Sequence, residues 1–443
     1  MKKLITVLFI LSIFALNIFA QTWTTYTPQN TSSMLPDNNV DHLATDQNGN
    51  IWIGTYFSGL VKFDGTNWTN YNPNNSPMKD NTVTGLFVYN NTVWTSSYGH
   101  GLYKFDGSNW NNYAAATSGI LNDQTYCVTA DNSGNVWVGI NSGNASNSGV
   151  VKFNGLAAWT PYTFLYANNY QTVESIAVDK QGNIWCGTRA GVIKFNGTDW
   201  SQYTKENTSG GLCGNWVREI NVDASGNVWF GCLDKDPVTG YWIEGGLSKF
   251  TGSTWSNYKP SGGGLTNGYV SAIAFKGSDV WVGTGFCGQY GGNGLYKFNG
   301  SSWTNYVNDN SSFPTTCVND LVVDKNGNLW IGSSWGLTKV DFNPTAVEET
   351  ESIPTSFSLN QNYPNPFNPE TVISYQLPVS GKVRLSVADL LGREVAVLVD
   401  GVQSAGIHHS TFSTARTALS SGVYFYKLQT ENFVDVKKMM IIK

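Results

Sequence analysis

Along most of this chain the apolar positions alternate with polar ones at period two, in short runs cut by turn residues, and helical periodicity is absent. One unit of the pattern reads Leu43–Asp46, Asn50–Thr55, Leu60–Phe63 and Trp68–Tyr71, with turns at Asp46-Gln47-Asn48-Gly49 and Asp64-Gly65. It predicts four short strands, A to D, joined by tight hairpins in which glycine supplies the positive φ. The unit recurs around Trp52, Trp94, Trp137, Trp185, Trp229, Trp281 and Trp330 as an Asp-x-x-Gly-Asn-x-Trp-x-Gly phrase. Each time a Gly-x-x-Lys-Phe-x-Gly segment follows, beginning at Gly59, Gly101, Gly149, Gly191, Gly246, Gly294 and Gly336.

A third phrase, Trp-x-x-Tyr, begins at Trp68, Trp110, Trp159, Trp200, Trp255 and Trp303, and the seventh repeat lacks it. The missing piece stands alone at the other end of the pattern, as Trp23-Thr24-Thr25-Tyr26. A leading fragment that completes the last repeat is what a closed ring requires, because it leaves no sheet edge open. The repeat spacing of 41 to 55 residues suits a four-stranded blade. The expected fold is all-β: a seven-bladed β-propeller over 21–343, a linker at 344–356, and a small Ig-like β-sandwich over 357–443. In that second part the strands are expected at Thr371–Leu377, Val383–Asp389, Glu394–Leu398, Ile407–Phe412, Gly422–Gln429 and Val434–Ile442.

The repeat resembles the propeller repeats of two-component regulator sensors, Ile51-Trp52-Ile53-Gly54-Thr55 and Leu329-Trp330-Ile331-Gly332 standing nearest the type. In those sensors a membrane span and a kinase follow the propeller. Neither is read here, so signalling is not carried over. The second part resembles the type A C-terminal sorting domain of the type IX secretion system. The matching blocks are Asn362-Tyr363-Pro364-Asn365-Pro366-Phe367-Asn368-Pro369, Leu390-Leu391-Gly392-Arg393-Glu394-Val395, Ser421-Gly422-Val423-Tyr424-Phe425-Tyr426, and the final Lys437-Lys438-Met439 onward. That resemblance implies the type IX machinery as partner, export across the outer membrane, removal of the sorting domain, and surface attachment or release.

The leading segment agrees with export. Lys2 and Lys3, an apolar run from Leu4 to Phe19 and Ala20 read as a secretory signal peptide over 1–20. No later run approaches the ~20 apolar residues of a membrane helix. Charged residues make up 13% of the chain and the net charge is −5, with no basic stripe, so a nucleic-acid partner is not expected. Six cysteines fall in the propeller without CxxC or Cys/His spacing, so neither a metal nor any other cofactor is expected. Cys186, on a strand B, reads as core. Disulfides are permitted outside the cytoplasm, and the pairs Cys213–Cys232 and Cys287–Cys317 are expected to pin long loops.

Candidate chemistry follows from loop length. The A–B and C–D turns, on one face, are short, whereas the B–C and D–A loops of the other face vary, and variable loops on a rigid scaffold are where function concentrates. Fourteen of the 17 tryptophans occupy repeat positions and read as packing between blades. The three out of register, Trp216, Trp242 and Trp335, fall on the variable face, with Tyr56, Phe57, Tyr98, His100, Arg189, Arg218, Tyr241, Glu244, Phe286 and Tyr290. The alternative for each ring is packing onto its own loop. As a set they point to binding of an extracellular glycan, peptide or protein. Catalysis has little support, since no nucleophile elbow, His-x-x-x-His or Ser/His/Asp grouping is present. The rival reading is a polysaccharide hydrolase or lyase using carboxylates near the axis, Glu219 and Asp320. A third is a purely structural surface component.

Overall fold

A computed structural model describes residues 21–141, 149–155, 159–163, 172–236, 238–239, 241–260, 264–285, 292–307, 311–342, 356–362, 365–367, 370–403, 405–414 and 419–442. The expected signal peptide and nearly all of the expected linker lie outside these residues. The chain divides into two compact units, Met1–Asn343 and Pro344–Lys443.

The described residues of the first unit form seven four-stranded antiparallel sheets. Their innermost strands are Val40–Thr45, Val83–Tyr89, Thr125–Ala130, Ser175–Val178, Trp216–Val222, Val270–Lys276 and Asp320–Val323. Each packs against the innermost strands of the neighbouring sheets, and the last packs against the first, so the sheets close a ring. The first inner strand begins at Val40, ahead of the Leu43 expected from the alternation, because a β-bulge lets Val40 pair with Thr55. The only helix among the described residues is the single turn Ala115–Ser118.

The seventh sheet runs Thr22–Tyr26, Gly336–Asp341, Leu329–Ser333, Asp320–Val323, with the leading strand outermost. Its register runs from Thr22 opposite Asp341 to Tyr26 opposite Leu337. Tyr26 stacks on Trp330 at 6.1 Å, as Tyr71 stacks on Trp52 at 6.0 Å and Tyr306 on Trp281 at 5.5 Å. Gly336 sits at φ +113, where a Cβ would collide with the carbonyl oxygen of Tyr26. Gly59 meets Tyr71 in the same way inside the first sheet, which explains why this position is glycine in every repeat.

The aspartate of the repeated phrase locks the A–B hairpin to the core. Asp46 Oδ2 accepts the Trp52 Nε1–H at 3.0 Å and the Asn50 Nδ2–H at 2.7 Å, and Oδ1 accepts the backbone N–H groups of Asn48 and Asn50. Asp131, Asp179, Asp223 and Asp324 hold Trp137, Trp185, Trp229 and Trp330 likewise. Burial alone would raise the Asp46 carboxyl, but these hydrogen bonds bring it below the ordinary range. The two sheets without this aspartate turn through Asn90-Asn91, both at positive φ, and through Gly277.

In the second unit, Ser358–Leu359, Glu370–Leu377 and Gly406–Ser413 form one sheet, and Glu394–Gln403, Gly381–Ala388, Gly422–Gln429 and Val434–Ile441 the other. Between them lies a core that includes Phe367, Ile373, Tyr375, Leu385, Tyr426 and Met439.

Candidate functional site: the axial channel and its mouth

A channel of about 870 Å³ runs along the ring axis, lined by all seven inner strands. Its chemistry is arranged in two layers by strand register. The residues paired with the strand B position that follows each Trp by two are His42, Gly85, Cys127, Ser175, Glu219, Ala272 and Asp320. One step nearer the D–A loops stand Asp41, Thr84, Tyr126, Glu174, Arg218, Ser271 and Asn319. In five of the sheets that outer residue sits in a β-bulge, which re-aims its side chain.

Most of the polar groups in both layers clasp the neighbouring sheet. Thr84 Oγ1 donates to Thr125 O at 2.7 Å, Ser271 Oγ to Val318 O at 2.6 Å, and Asn319 Nδ2 to Asp41 Oδ1 at 2.9 Å. Asp320 accepts the Leu43 and Leu321 backbone N–H groups, each at 2.7 Å, and Ser175 Oγ accepts that of Ile220. His42 and Glu219 are different. Among the described residues their side chains make no hydrogen bond, and they feel the charges of Arg218 and, for Glu219, also Asp320.

Burial dominates the electrostatics here. It pushes the Asp41 carboxyl up to about 7, helped by the charge of Asp37. It pushes Asp320 up to about 7 against the pull of its two backbone donors. Glu219 rises well above the carboxylate range from burial and the Asp320 charge, while burial and Arg218 lower His42 to about 4. A raised carboxyl favours the folded state most below its unfolded value, near ~4, and that stability is lost as pH rises towards about 7. Asp41→Asn, which can still accept from Asn319, is therefore expected to match the parent at pH ~4 and to be more stable at pH ~8, by on the order of 2 kcal/mol. Parallel thermal melts measure this, and identical pH profiles for both proteins would contradict it.

The mouth on the B–C/D–A side carries most of the residues expected from sequence. Trp335 is 61% exposed, Phe57 62% and Tyr241 76%. Tyr56 packs edge-on against Phe57 at 4.7 Å, and Tyr98 packs edge-on against Tyr126 at 6.3 Å. His100 is partly buried at the same end. Trp216 departs from expectation: it opens an inner strand and is only 5% exposed. Arg189 and Arg218 lie over its ring at 4.5 and 5.4 Å, and Arg189 also pairs with Glu174 at 3.0 Å. Its ring is thus a support for two guanidinium groups, not an open stacking surface. Trp242 begins the extended strand Trp242–Phe250, which also carries Glu244. Phe286, Tyr290 and Cys287 lie outside the described residues. The sequence reading does not reach Asp41, Tyr126 or Glu174; the available signal is that the residue before each inner-layer position is polar in all seven repeats.

Cys213 and Cys232 also depart from expectation. Cys213 and Cys232 are free thiols, so the bridge expected between them is not formed. Both are fully buried in the core beside Val217 and Phe230 instead of emerging on the loop face. The Cys232 strand continues as a paired ribbon past that point. Ser248 Oγ donates to Cys213 Sγ at 3.1 Å. Cys186 is buried and Cys127 faces the channel, both free, while Cys317 is disulfide-bonded.

Comparison with known proteins agrees with this architecture. The model of the two component regulator propeller matches residues 34–57, 168–190 and 312–335, and that of the secretion system C-terminal sorting domain matches 361–443. No curated protein matches the sequence significantly. Among solved structures, the chain is similar to PorZ, an essential bacterial surface component of the type IX secretion system of Porphyromonas gingivalis. There the TM-score is 0.53 at 18% identity, covering 92% of this chain and 60% of PorZ. It is also similar to a streptogramin B lyase, with TM-score 0.55, 15% identity, and 73% and 97% of the two chains covered. A third likeness is YCF48 bound to D1 peptide, with TM-score 0.50, 12% identity, and 72% and 96% covered. At these identities the likeness is one of fold. Among the described residues no helix is long and apolar enough to cross a membrane. The chain carries two-component regulator propeller repeats and a type IX C-terminal sorting domain, and is a propeller delivered to the medium or the outer cell surface.

Proposed function

We propose that this exported propeller binds an extracellular ligand, a glycan, peptide or protein, through its B–C/D–A loop face, and that its sorting domain engages the type IX secretion machinery. One observation carries the reading. Among the described residues of the first unit, every exposed large apolar side chain stands on that face: Met34, Tyr56, Phe57, Tyr98, Val238, Tyr241, Ile243 and Trp335. The opposite face, with its short A–B and C–D turns, has none. A one-sided concentration of exposed rings around a channel mouth is favourable for recognition and costly in solubility, so it needs a binding role to offset it.

The triple variant Phe57→Ala, Tyr241→Ala, Trp335→Ala is expected to melt within a few degrees of the parent, since these rings are exposed, yet to lose binding at least about tenfold. Probing both proteins on glycan and peptide arrays checks this. Equal binding by the parent and the triple variant would remove the loop face from the reading.

A further inference from the structure

Within that face, the channel beneath the mouth supplies a more specific chemistry, and this inference rests on the loop-face reading. His42 and Glu219 occupy the same layer in the first and fifth sheets, line the same cavity, and make no hydrogen bond among the described residues. The other polar groups discussed in the two layers hold a neighbouring strand or side chain, so their positions are explained by closing the ring. His42 and Glu219 are both partly exposed at the channel wall, where water can meet them, and an outside molecule whose polar groups match theirs displaces that water without losing hydrogen bonds.

The surrounding charge narrows what this molecule is. A cation would be drawn by Asp41 and Asp320 but would meet the Arg218 guanidinium, whose charge acts on both His42 and Glu219. An anion would gain from Arg218 but would meet the Asp41 and Asp320 carboxyl groups. The burial effects on His42 and Glu219 favour their uncharged forms at neutral pH, in which each side chain both donates and accepts. Two uncharged donor–acceptor groups in one layer suit a neutral hydroxyl-rich ring. The exposed faces of Tyr56, Phe57 and Trp335 at the mouth suit stacking of the residues that follow it.

We propose that the axial channel receives the terminal, uncharged sugar residue of an extracellular oligosaccharide, hydrogen-bonded by His42 and Glu219, with the following residues stacked on the rings at the mouth.

The test uses the full mature protein. The probes are neutral malto-, cello-, xylo- and chito-oligosaccharides, oligogalacturonates, acidic and basic peptides, and Ca²⁺, followed by calorimetry with the four related proteins below. A neutral oligosaccharide is expected to bind, and its free terminal monosaccharide to compete. Glu219→Gln, which remains a donor and acceptor, is expected to keep the affinity within about threefold, whereas Glu219→Leu and His42→Leu each lower it at least about tenfold. His42→Leu gives the same reading should Glu219→Leu fail to fold. The triple ring variant is expected to weaken binding without abolishing competition by the monosaccharide. Preference for oligogalacturonate, a peptide or Ca²⁺ over every neutral sugar overturns the inference, as does loss of binding on Glu219→Gln. Sugar binding that survives both leucine substitutions but falls with the ring variant overturns the channel while leaving the loop face intact. Absence of binding to the whole panel overturns both.

Discussion

Deleting residues 21–27 is expected to open the ring and to cost more than about 5 kcal/mol, far beyond ordinary trimming of a terminus. The strand Thr22–Tyr26 supplies the outer edge of the last sheet, paired from Thr22–Asp341 to Tyr26–Leu337. Its loss exposes the unpaired edge of Gly336–Asp341. Two aromatic side chains go with it. Trp23 lies 5.6 Å from Tyr306 and 6.1 Å from Phe313, bridging to the sixth sheet. Tyr26 lies 5.4 Å from Phe63 and 5.6 Å from Trp68, bridging to the first. One short strand therefore holds both neighbours of the closing sheet. Gly336→Ala attacks the same closure by a single methyl group, through the collision with the Tyr26 carbonyl and the positive φ. Thermal melts and hydrogen exchange over Leu329–Asp341 measure both variants. A deleted protein that melts like the parent would refute the role assigned to the leading strand.

That closure is legible in the sequence because the residues that build the blades are the residues that repeat. The Trp, its Asp and the Gly ahead of Lys-Phe each meet a fixed partner inside their own sheet, so the Trp and Gly return in all seven sheets and the Asp in five. The channel is not legible in this way. Of its inner layer, His42, Gly85, Cys127, Ser175, Glu219 and Asp320 line a common space with no shared partner to enforce a type, and Ala272 packs into a core cluster instead. Trp216 misleads for a related reason. The fifth inner strand starts at Trp216 itself, so a ring that looks out of register from the repeat is covered by the arginines beside it. Cys213 and Cys232 go inward because the fifth sheet's middle hairpin extends to the pair Lys235–Trp242, which moves the true loop beyond them.

A chain ending at Phe342 is expected to fold its propeller but to accumulate in the periplasm of its native cell instead of reaching the surface or medium. The sorting unit has its own core, so its removal takes away the export determinant without opening the ring. A subtler variant separates the fold of that unit from its mere presence. The Tyr426 hydroxyl donates to Asn360 O and accepts the Asn362 N–H, both at 2.8 Å, and buried Asn362 donates through Nδ2 to Thr371 Oγ1 at 2.9 Å. Phe367 then pairs with the last strand, its N–H to Met440 O and its carbonyl to the Ile442 N–H, each at 3.0 Å. Asn360 and Asn362 are thus tied to Tyr426, and Phe367 to the lysine-rich last strand. Tyr426→Phe leaves the Asn360 and Asn362 backbone groups without that partner, at a cost of about 2–4 kcal/mol to the sorting unit. Export is expected to fall steeply as growth temperature rises, while the propeller's own melting is unchanged. Fractionation of cells expressing the parent, the shortened chain and Tyr426→Phe reads the outcome. Recovery of the shortened chain at the surface would overturn the assignment of export to residues 357–443, and finding those residues on the mature external protein would count against their proteolytic removal.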